Sequence, residues 1–283
     1  MARAPVTKTW YRIAVGRAGQ PAVLLAAQGE HLGVALAAAE QHVGSGARAL
    51  AVEVAPGNEV PLGESVGKHH VVELGAASEV AGFAWPPGVI PQLGHTASLA
   101  TARAGFALHP DPKLYIVEAQ TAGDKLVDTF LGMIERLPTA DNLEVRVLDH
   151  FEDRGHTDVW LTSRVNARKI LSFLDDHDDE LIANGHVQLS IYIRKHRATL
   201  RLTEHKTVVW IADDAELAAD VTRWLGELEV PRIDKLDRIT AVPHFHFRAA
   251  KSRDRKKLGE ELFRQRLRRV DTLKTAAALA SAP

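Results

Sequence analysis

The sequence predicts an α+β protein whose antiparallel sheets are covered by helices. Short runs in which apolar and polar residues alternate recur along the chain, and longer segments with apolar residues three and four apart lie between them. Alternation of period two is typical of a half-buried strand, whereas a spacing of three and four is typical of a helix with one buried face. Several strands are separated only by short turns, which favours hairpins and a meander.

The composition is that of an ordinary globular protein. A length of 283 residues favours one large or two ordinary domains, and 46% hydrophobic residues suffice for a full core. The chain has no cysteine, which excludes disulfides, thiolate metal ligands and cysteine nucleophiles and is compatible with a cytoplasmic setting. No apolar run reaches the length of a membrane span. The abundance of Ala and Arg favours a bacterial source.

Residues 1–83 are predicted to form an N-terminal domain of the order ββαβ. Strands over residues 10–15 and 22–25 have the spacing of a hairpin. An amphipathic helix over residues 30–43 and a strand over residues 49–54 complete this order.

Residues 84–112 are predicted to be a linker. This segment holds five of the thirteen prolines, and proline limits both helices and central strands.

Residues 113–247 are predicted to form a second domain with a ferredoxin-like core of the order βαββαβ, an antiparallel sheet with two helices on one face. The elements are a strand at 114–117, a helix at 126–137, strands at 143–147 and 158–162, a helix at 164–183 and a strand at 187–193. Their inward stripes predict one buried cluster made of Leu126, Phe130, Ile134, Ile170, Leu174, Leu189 and Ile191.

The sheet of this domain is expected to continue beyond the core. Residues 199–203 and 207–211 read as an extra β-meander, and residues 239–247 as a last strand.

The segment 248–283 is predicted to be a basic amphipathic helix and tail. Between Arg248 and Lys274 there are eleven Lys and Arg but only four Asp and Glu, out of 35 basic and 36 acidic residues in the whole chain. The remainder therefore holds 24 basic and 32 acidic residues, so an acidic body carries a basic appendage. This asymmetry points to an anionic partner or to the body's own acidic surface.

The helix, expected over residues 252–279, combines an apolar stripe with basic faces. Such a helix can dock on a protein surface, and its charges can also track phosphates. The residues expected to bind a partner are Arg255, Lys256, Lys257, Leu262, Phe263, Arg264, Arg266, Leu267, Arg268 and Arg269. A protein partner or a second copy is favoured because phosphate tracking needs charge but no apolar stripe.

Two further patterns could carry metal chemistry. Glu204 and Lys206 stand between two predicted strands in the E-x-K spacing of metal-dependent nucleases, which also need a second acid nearby. His244 and His246 alternate with Phe245 and Phe247, so both imidazoles would lie on one face of a strand. Two histidines can bind zinc only with a third ligand, for which His69, His70 or His205 are candidates. We favour a charged turn for the first pattern and solvent-facing histidines for the second.

Two other motifs have simpler interpretations. Residues 63–67 match the G-x-S-x-G pattern of serine hydrolases, but no helix can follow it, so Ser65 is not expected to be a nucleophile. The acidic run 175–180 reads as a solvated helix end, with His177 on the apolar stripe.

The sequence therefore predicts a non-enzymatic cytoplasmic binding or regulatory protein. Its sheet surface and basic helix would contact a protein partner or a second copy. The alternative is a nucleic-acid-binding protein or a metal-dependent nuclease that uses Glu204 and Lys206, with residues 248–274 on phosphates. No cofactor is predicted, because no P-loop, dinucleotide-binding glycine pattern or HExxH helix occurs.

Overall fold

The structure, a computed structural model, describes residues 8–56, 71–79, 82–99, 101–213 and 215–274. In this part of the chain it is an α+β protein with three antiparallel sheets, of eight, four and two strands, and six α-helices. The predicted class is therefore confirmed. Among the described residues, no helix is long and apolar enough to span a membrane.

The strands are β1 (Thr9–Arg17), β2 (Gln20–Gly29), β3 (Ala47–Val54), β4 (Val71–Ala76), β5 (Val89–Pro91), β6 (Gly105–His109), β7 (Tyr115–Gln120), β8 (Asn142–Val147), β9 (His156–Leu161), β10 (Val187–Ile193), β11 (Ala198–Leu202), β12 (Val208–Ala212), β13 (His244–His246) and β14 (Arg268–Lys274). The helices are α1 (Leu32–Val43), α2 (Leu126–Arg136), α3 (Ala167–Asp175), α4 (Asp178–Leu181), α5 (Ala218–Glu227) and α6 (Arg255–Arg264).

The chain divides into two compact units. The first comprises Met1–Trp85, Val89–Ala102 and Asp237–Lys251, and the second comprises Pro86–Gly88, Arg103–Leu236 and Ser252–Pro283. Neither unit is continuous in sequence, because the chain returns to the first unit after residue 236 and to the second after residue 251.

The first unit contains a four-stranded sheet in the order β3-β1-β2-β4, on which α1 packs. Along the chain β1, β2, α1 and β3 follow one another in the order ββαβ, and β4 comes after them. Its core consists of small and branched apolar residues such as Ile13, Leu25, Leu36 and Val52. The two-stranded sheet of β5 and β13 belongs to the same unit, and Phe245 and Phe247 pack against this core.

The second unit is built on the eight-stranded sheet, in the order β14-β9-β8-β10-β11-β12-β7-β6. All seven residues of the predicted buried cluster lie in its single core, and each is at most 2% exposed. The meander after β10 is confirmed as β11 and β12. The segment predicted as a linker contains β5 and β6.

The order of elements βαββαβ is present along the chain, but the structure does not show a ferredoxin-like strand order. In a split βαβ unit, a helix connects two parallel strands that flank one other strand. The β9–α3–β10 connection has this form, around β8. The β7–α2–β8 connection spans β12, β11 and β10, because β8 pairs with β10 and the meander of β11 and β12 separates β10 from β7.

The predicted helix over residues 164–183 is broken into α3 and α4. The break lies at His177, whose ring Nδ1 is 3.0 Å from the Phe173 carbonyl oxygen and donates to it. That carbonyl would accept the His177 backbone N–H in a continuous helix, so the side chain competes with the helical hydrogen bond.

Candidate functional site

The C-terminal helix α6 is shorter than predicted. It begins after Asp254, whose side chain accepts a hydrogen bond from the Lys257 N–H at 2.8 Å. It ends where Arg266 takes the left-handed conformation, with a φ of 65°. The Leu267 N–H then donates to the Leu262 carbonyl and the Arg266 N–H to the Phe263 carbonyl, each at 3.0 Å. This pair of bonds is a Schellman end, and residues 268–274 continue as a strand, not as a helix.

The apolar residues of α6 and β14 divide into two sets. Leu258, Leu262 and Leu267 are at most 2% exposed and belong to the core of the second unit. Phe263 is 73% exposed, Val270 56% and Leu273 42%. Burial of the leucines holds the segment on its own unit, so only the second set can contact a partner.

Arg255 fixes the beginning of α6. Its side chain is 7% exposed, and its Nη2 donates to the Asp158 carboxylate at 2.9 Å and to the His156 carbonyl at 2.7 Å. The other guanidinium bonds go to Asp158 and to the backbone carbonyls of Val147, Leu148 and Phe151. An ion pair with this many bonds is structural, so Arg255 does not offer its charge to a partner.

The remaining cations of the predicted binding set are exposed. Lys257 pairs with Asp254, Arg264 with Glu261, and Arg269 lies 3.6 Å from Asp158. Lys256 lies 4.0 Å from Glu260. Within the described residues, Arg266 and Arg268 make no ion pair. The segment from Lys256 to Leu273, which we call the α6–β14 surface, thus presents exposed cations together with exposed apolar side chains.

β14 lies at the edge of the eight-stranded sheet. Its partner is β9, and no other described strand pairs with it. The register shifts between Arg269 and Asp271, which makes Val270 the extra residue of a β-bulge. The outer edge of β14 therefore carries backbone groups that are not committed to any strand in the described part of the chain.

Glu204 and Lys206 lie in the tight turn between β11 and β12. Lys206 is 1% exposed and has a φ of 63°. Its Nζ donates to the backbone carbonyls of Asn184, at 2.5 Å, and Val187, at 3.1 Å. Burial lowers the pKa of Lys206 to about 7, and the nearby Glu204 opposes this shift.

This geometry gives Lys206 the role of a cross-link between two turns. Glu204 is half-buried and lies 3.7 Å from His205. Among the residues that the structure describes, Glu204 belongs to no group of three or more His, Asp or Glu side chains close enough to share a metal ion. The nuclease interpretation of this pair stays a prediction.

His244 and His246 lie on β13 in the first unit, with ring centroids 5.2 Å apart. The His244 Nδ1 donates to the Val242 carbonyl at 2.8 Å. Trp85 lies 6.1 Å from the His244 ring. Of the candidate third ligands, His69 and His70 lie outside the described residues, and His205 belongs to the second unit. Zinc binding by this pair stays a prediction.

The other sequence motifs have these outcomes. The G-x-S-x-G segment with Ser65 lies outside the described residues. In the acidic run, Glu180 is 3.0 Å from Arg253 and accepts from its backbone N–H, so part of this run holds the segment that leads into α6.

Sequence reasoning missed two features of this region. Arg255 and Lys206 are both buried, and most of their acceptors are backbone carbonyls of distant segments. No residue pattern marks a carbonyl as an acceptor, so only the fold reveals these partners.

No protein-family model matches this chain, and no curated protein or solved structure is similar enough to count as a match.

Proposed function

We propose that this protein is a non-enzymatic, cytoplasmic binding or regulatory protein that contacts a protein partner, or a second copy, through the α6–β14 surface. The observation that carries the proposal is the exposure of Phe263, Val270 and Leu273 beside several exposed arginines and lysines. Aromatic and arginine side chains are enriched where proteins bind one another.

The division of the apolar residues supports a protein partner over nucleic acid. A surface that follows the phosphates of a duplex requires cations and gains nothing from exposed Phe and Val. A single strand could stack a base on Phe263 but would not need exposed Val270 and Leu273. Exposed apolar area in water is unfavourable, and its burial by a partner would contribute about 25 cal/mol per Å².

A comparison of two variants in the native cell tests the proposal. Phe263→Ser combined with Val270→Ser removes the exposed apolar side chains and leaves the buried leucines in place. Arg266→Gln combined with Arg268→Gln removes the two cations of this surface that make no ion pair with a described residue. We expect a protein that co-purifies with the wild type, or self-association, to be lost in the serine variant. We expect the glutamine variant mainly to associate more slowly and with less dependence on salt.

A nucleic-acid duplex, bound through its phosphates alone, would give the opposite ranking. The glutamine variant would then lose affinity steeply, the serine variant would bind normally, and the purified wild type would carry a high absorbance ratio at 260 nm. That result would replace the present proposal with the alternative one.

A further inference from the structure

At the open edge of β14, one backbone N–H, that of Thr272, makes a hydrogen bond that does not go to the neighbouring strand β9. The Thr272 N–H donates to the carboxylate of the preceding Asp271 at 2.7 Å, while Thr272 lies opposite Asp158 of β9. A local carboxylate thus satisfies an N–H at the sheet edge. In a longer sheet, the carbonyl of an added strand would take that N–H.

The charge of the edge selects the kind of strand that can be added. β14 carries Arg268, Arg269 and Lys274 against the single acid Asp271, and the preceding turn adds Arg266. Pairing β14 with its own copy would bring two net positive strands together, and like charges in opposed positions are destabilising. An acidic strand placed beside β14 would instead be attracted to its positive charges.

The apolar residues give the second requirement. Val270 and Leu273 are exposed on the same strand as these cations. Because side chains alternate between the two faces of a strand, a partner that combines acids with branched apolar residues would match both properties.

We propose that β14 accepts an acidic, extended segment of another protein as an additional strand of the eight-stranded sheet. This inference rests on the proposed function and specifies its partner. The added backbone would bind the uncommitted edge of β14, displacing the Asp271 carboxylate from the Thr272 N–H. The exposed arginines would bind the acidic side chains.

The test uses the full chain and a synthetic peptide of about six residues, the usual length of a strand, in which Glu and Val alternate. Fluorescence anisotropy measures its binding to the wild type, to Thr272→Pro and to Thr272→Val. Proline removes the N–H that an added strand would use. Valine keeps the N–H and replaces only the hydroxyl, which donates to the Asp158 carboxylate of β9 at 3.3 Å, so Thr272→Val is the matched control. We expect Thr272→Pro to weaken binding by about tenfold, the effect of losing roughly one well-formed hydrogen bond and its neighbours, and Thr272→Val to change it by less than about twofold.

A second measurement covers the case in which Thr272→Pro disturbs β14 itself. The same peptide, N-methylated at alternate residues so that one edge lacks its N–H donors, is titrated against the wild type. Strand addition predicts that N-methylation on one of the two edges abolishes binding, and that replacing Glu by Lys in the peptide does so as well.

Three results would overturn the inference. The first is that the acidic peptide does not bind. The second is that the proline and valine variants bind the peptide equally well and that N-methylation of either peptide edge leaves its affinity unchanged. The third is that a single-stranded oligonucleotide binds more tightly than the peptide. If the co-purified partner still depends on Phe263 and Val270, the first two results remove strand addition and leave the proposed function intact.

Discussion

At the scale of single residues, Lys206 shows how the fold changes the chemistry of a side chain. Its ammonium group is buried and donates to two carbonyls, and these two hydrogen bonds hold the β11–β12 turn against the beginning of β10 and the residues just before it. Two neutral acceptors compensate a buried charge only in part, and burial accordingly lowers the pKa of Lys206 to about 7.

The lowered pKa makes stability depend on pH in a defined direction. Between about pH 7 and the unfolded value of 10.5, the unfolded chain binds the proton of Lys206 more strongly than the folded chain does. The free energy of unfolding should therefore rise with pH in this window, by roughly 1 kcal/mol per pH unit, and the contribution is lost as pH falls toward 7. Chemical denaturation at about pH 7.5 and pH 9 measures the rise.

Replacement of Lys206 by Met should remove this slope, because nothing at the position then titrates. The exposed Lys195, changed to Met, is the control and should keep the slope of the wild type. Equal slopes in wild type and Lys206→Met would show that Lys206 is not the titrating group.

Arg255 gives a second prediction at this scale. Lysine cannot reproduce the planar fork that binds Asp158 and four carbonyls, so Arg255→Lys leaves buried acceptors without donors. We expect a loss of about 2–4 kcal/mol in the free energy of unfolding. The same change at the exposed Arg264 should cost less than about 0.5 kcal/mol, and comparable losses at both positions would contradict the structural role of Arg255.

At the scale of elements, the hydrophobic pattern predicted which residues are buried but not the order of the strands in the sheet. The stripes of α2 and α3 and the alternation of β10 placed Phe130, Ile170 and Ile191 in one core, as the structure confirms. The hydrophobic pattern depends only on which residues are buried, and the apolar or polar type of each residue indicates this directly. Strand order was not predictable, because the same stripes pack equally well whether or not a meander separates β7 from β10.

The end of α6 illustrates the second limit. Helix ends are commonly marked by glycine, but Arg266 occupies the left-handed position here. Without a glycine, the basic segment reads as one long helix. The strand β14 could therefore not be predicted from the sequence, and neither could the open edge at Thr272.

Phe130 tests the packing of α2. Its side chain is fully buried in the core of the second unit. Phe130→Ala should lower the free energy of unfolding by about 3–5 kcal/mol, because the cavity adds to the lost transfer energy. A loss below about 1 kcal/mol in chemical denaturation would show that α2 does not pack as described.

At the scale of the whole molecule, the C-terminal region serves both units in turn. Residues 237–251 supply β13 to the first unit, and residues from 252 onward supply α6 and β14 to the second. A single domain boundary in the sequence cannot describe units that are each built from several segments. Composition alone does not indicate which unit a segment belongs to.

Two truncations separate these contributions. A chain that ends at Lys251 lacks Leu258, Leu262 and Leu267, and its β8 and β10 amides should lose protection from hydrogen exchange while β1 and β2 keep theirs. A chain that ends at Leu236 also lacks β13 and should lose protection in both units. Unchanged protection of β8 and β10 in the first truncation would contradict the place of α6 in the core.

The central claim is that the α6–β14 surface contacts a protein, and photo-crosslinking in the native cell tests it most directly. A photo-reactive residue at position 263 is compared with one at position 114, where Leu114 is exposed elsewhere on the second unit. We predict a defined covalent adduct with one protein, or with a second copy, from position 263 and none from position 114. Adducts with nucleic acid at position 263, or the same adducts from both positions, would contradict the claim.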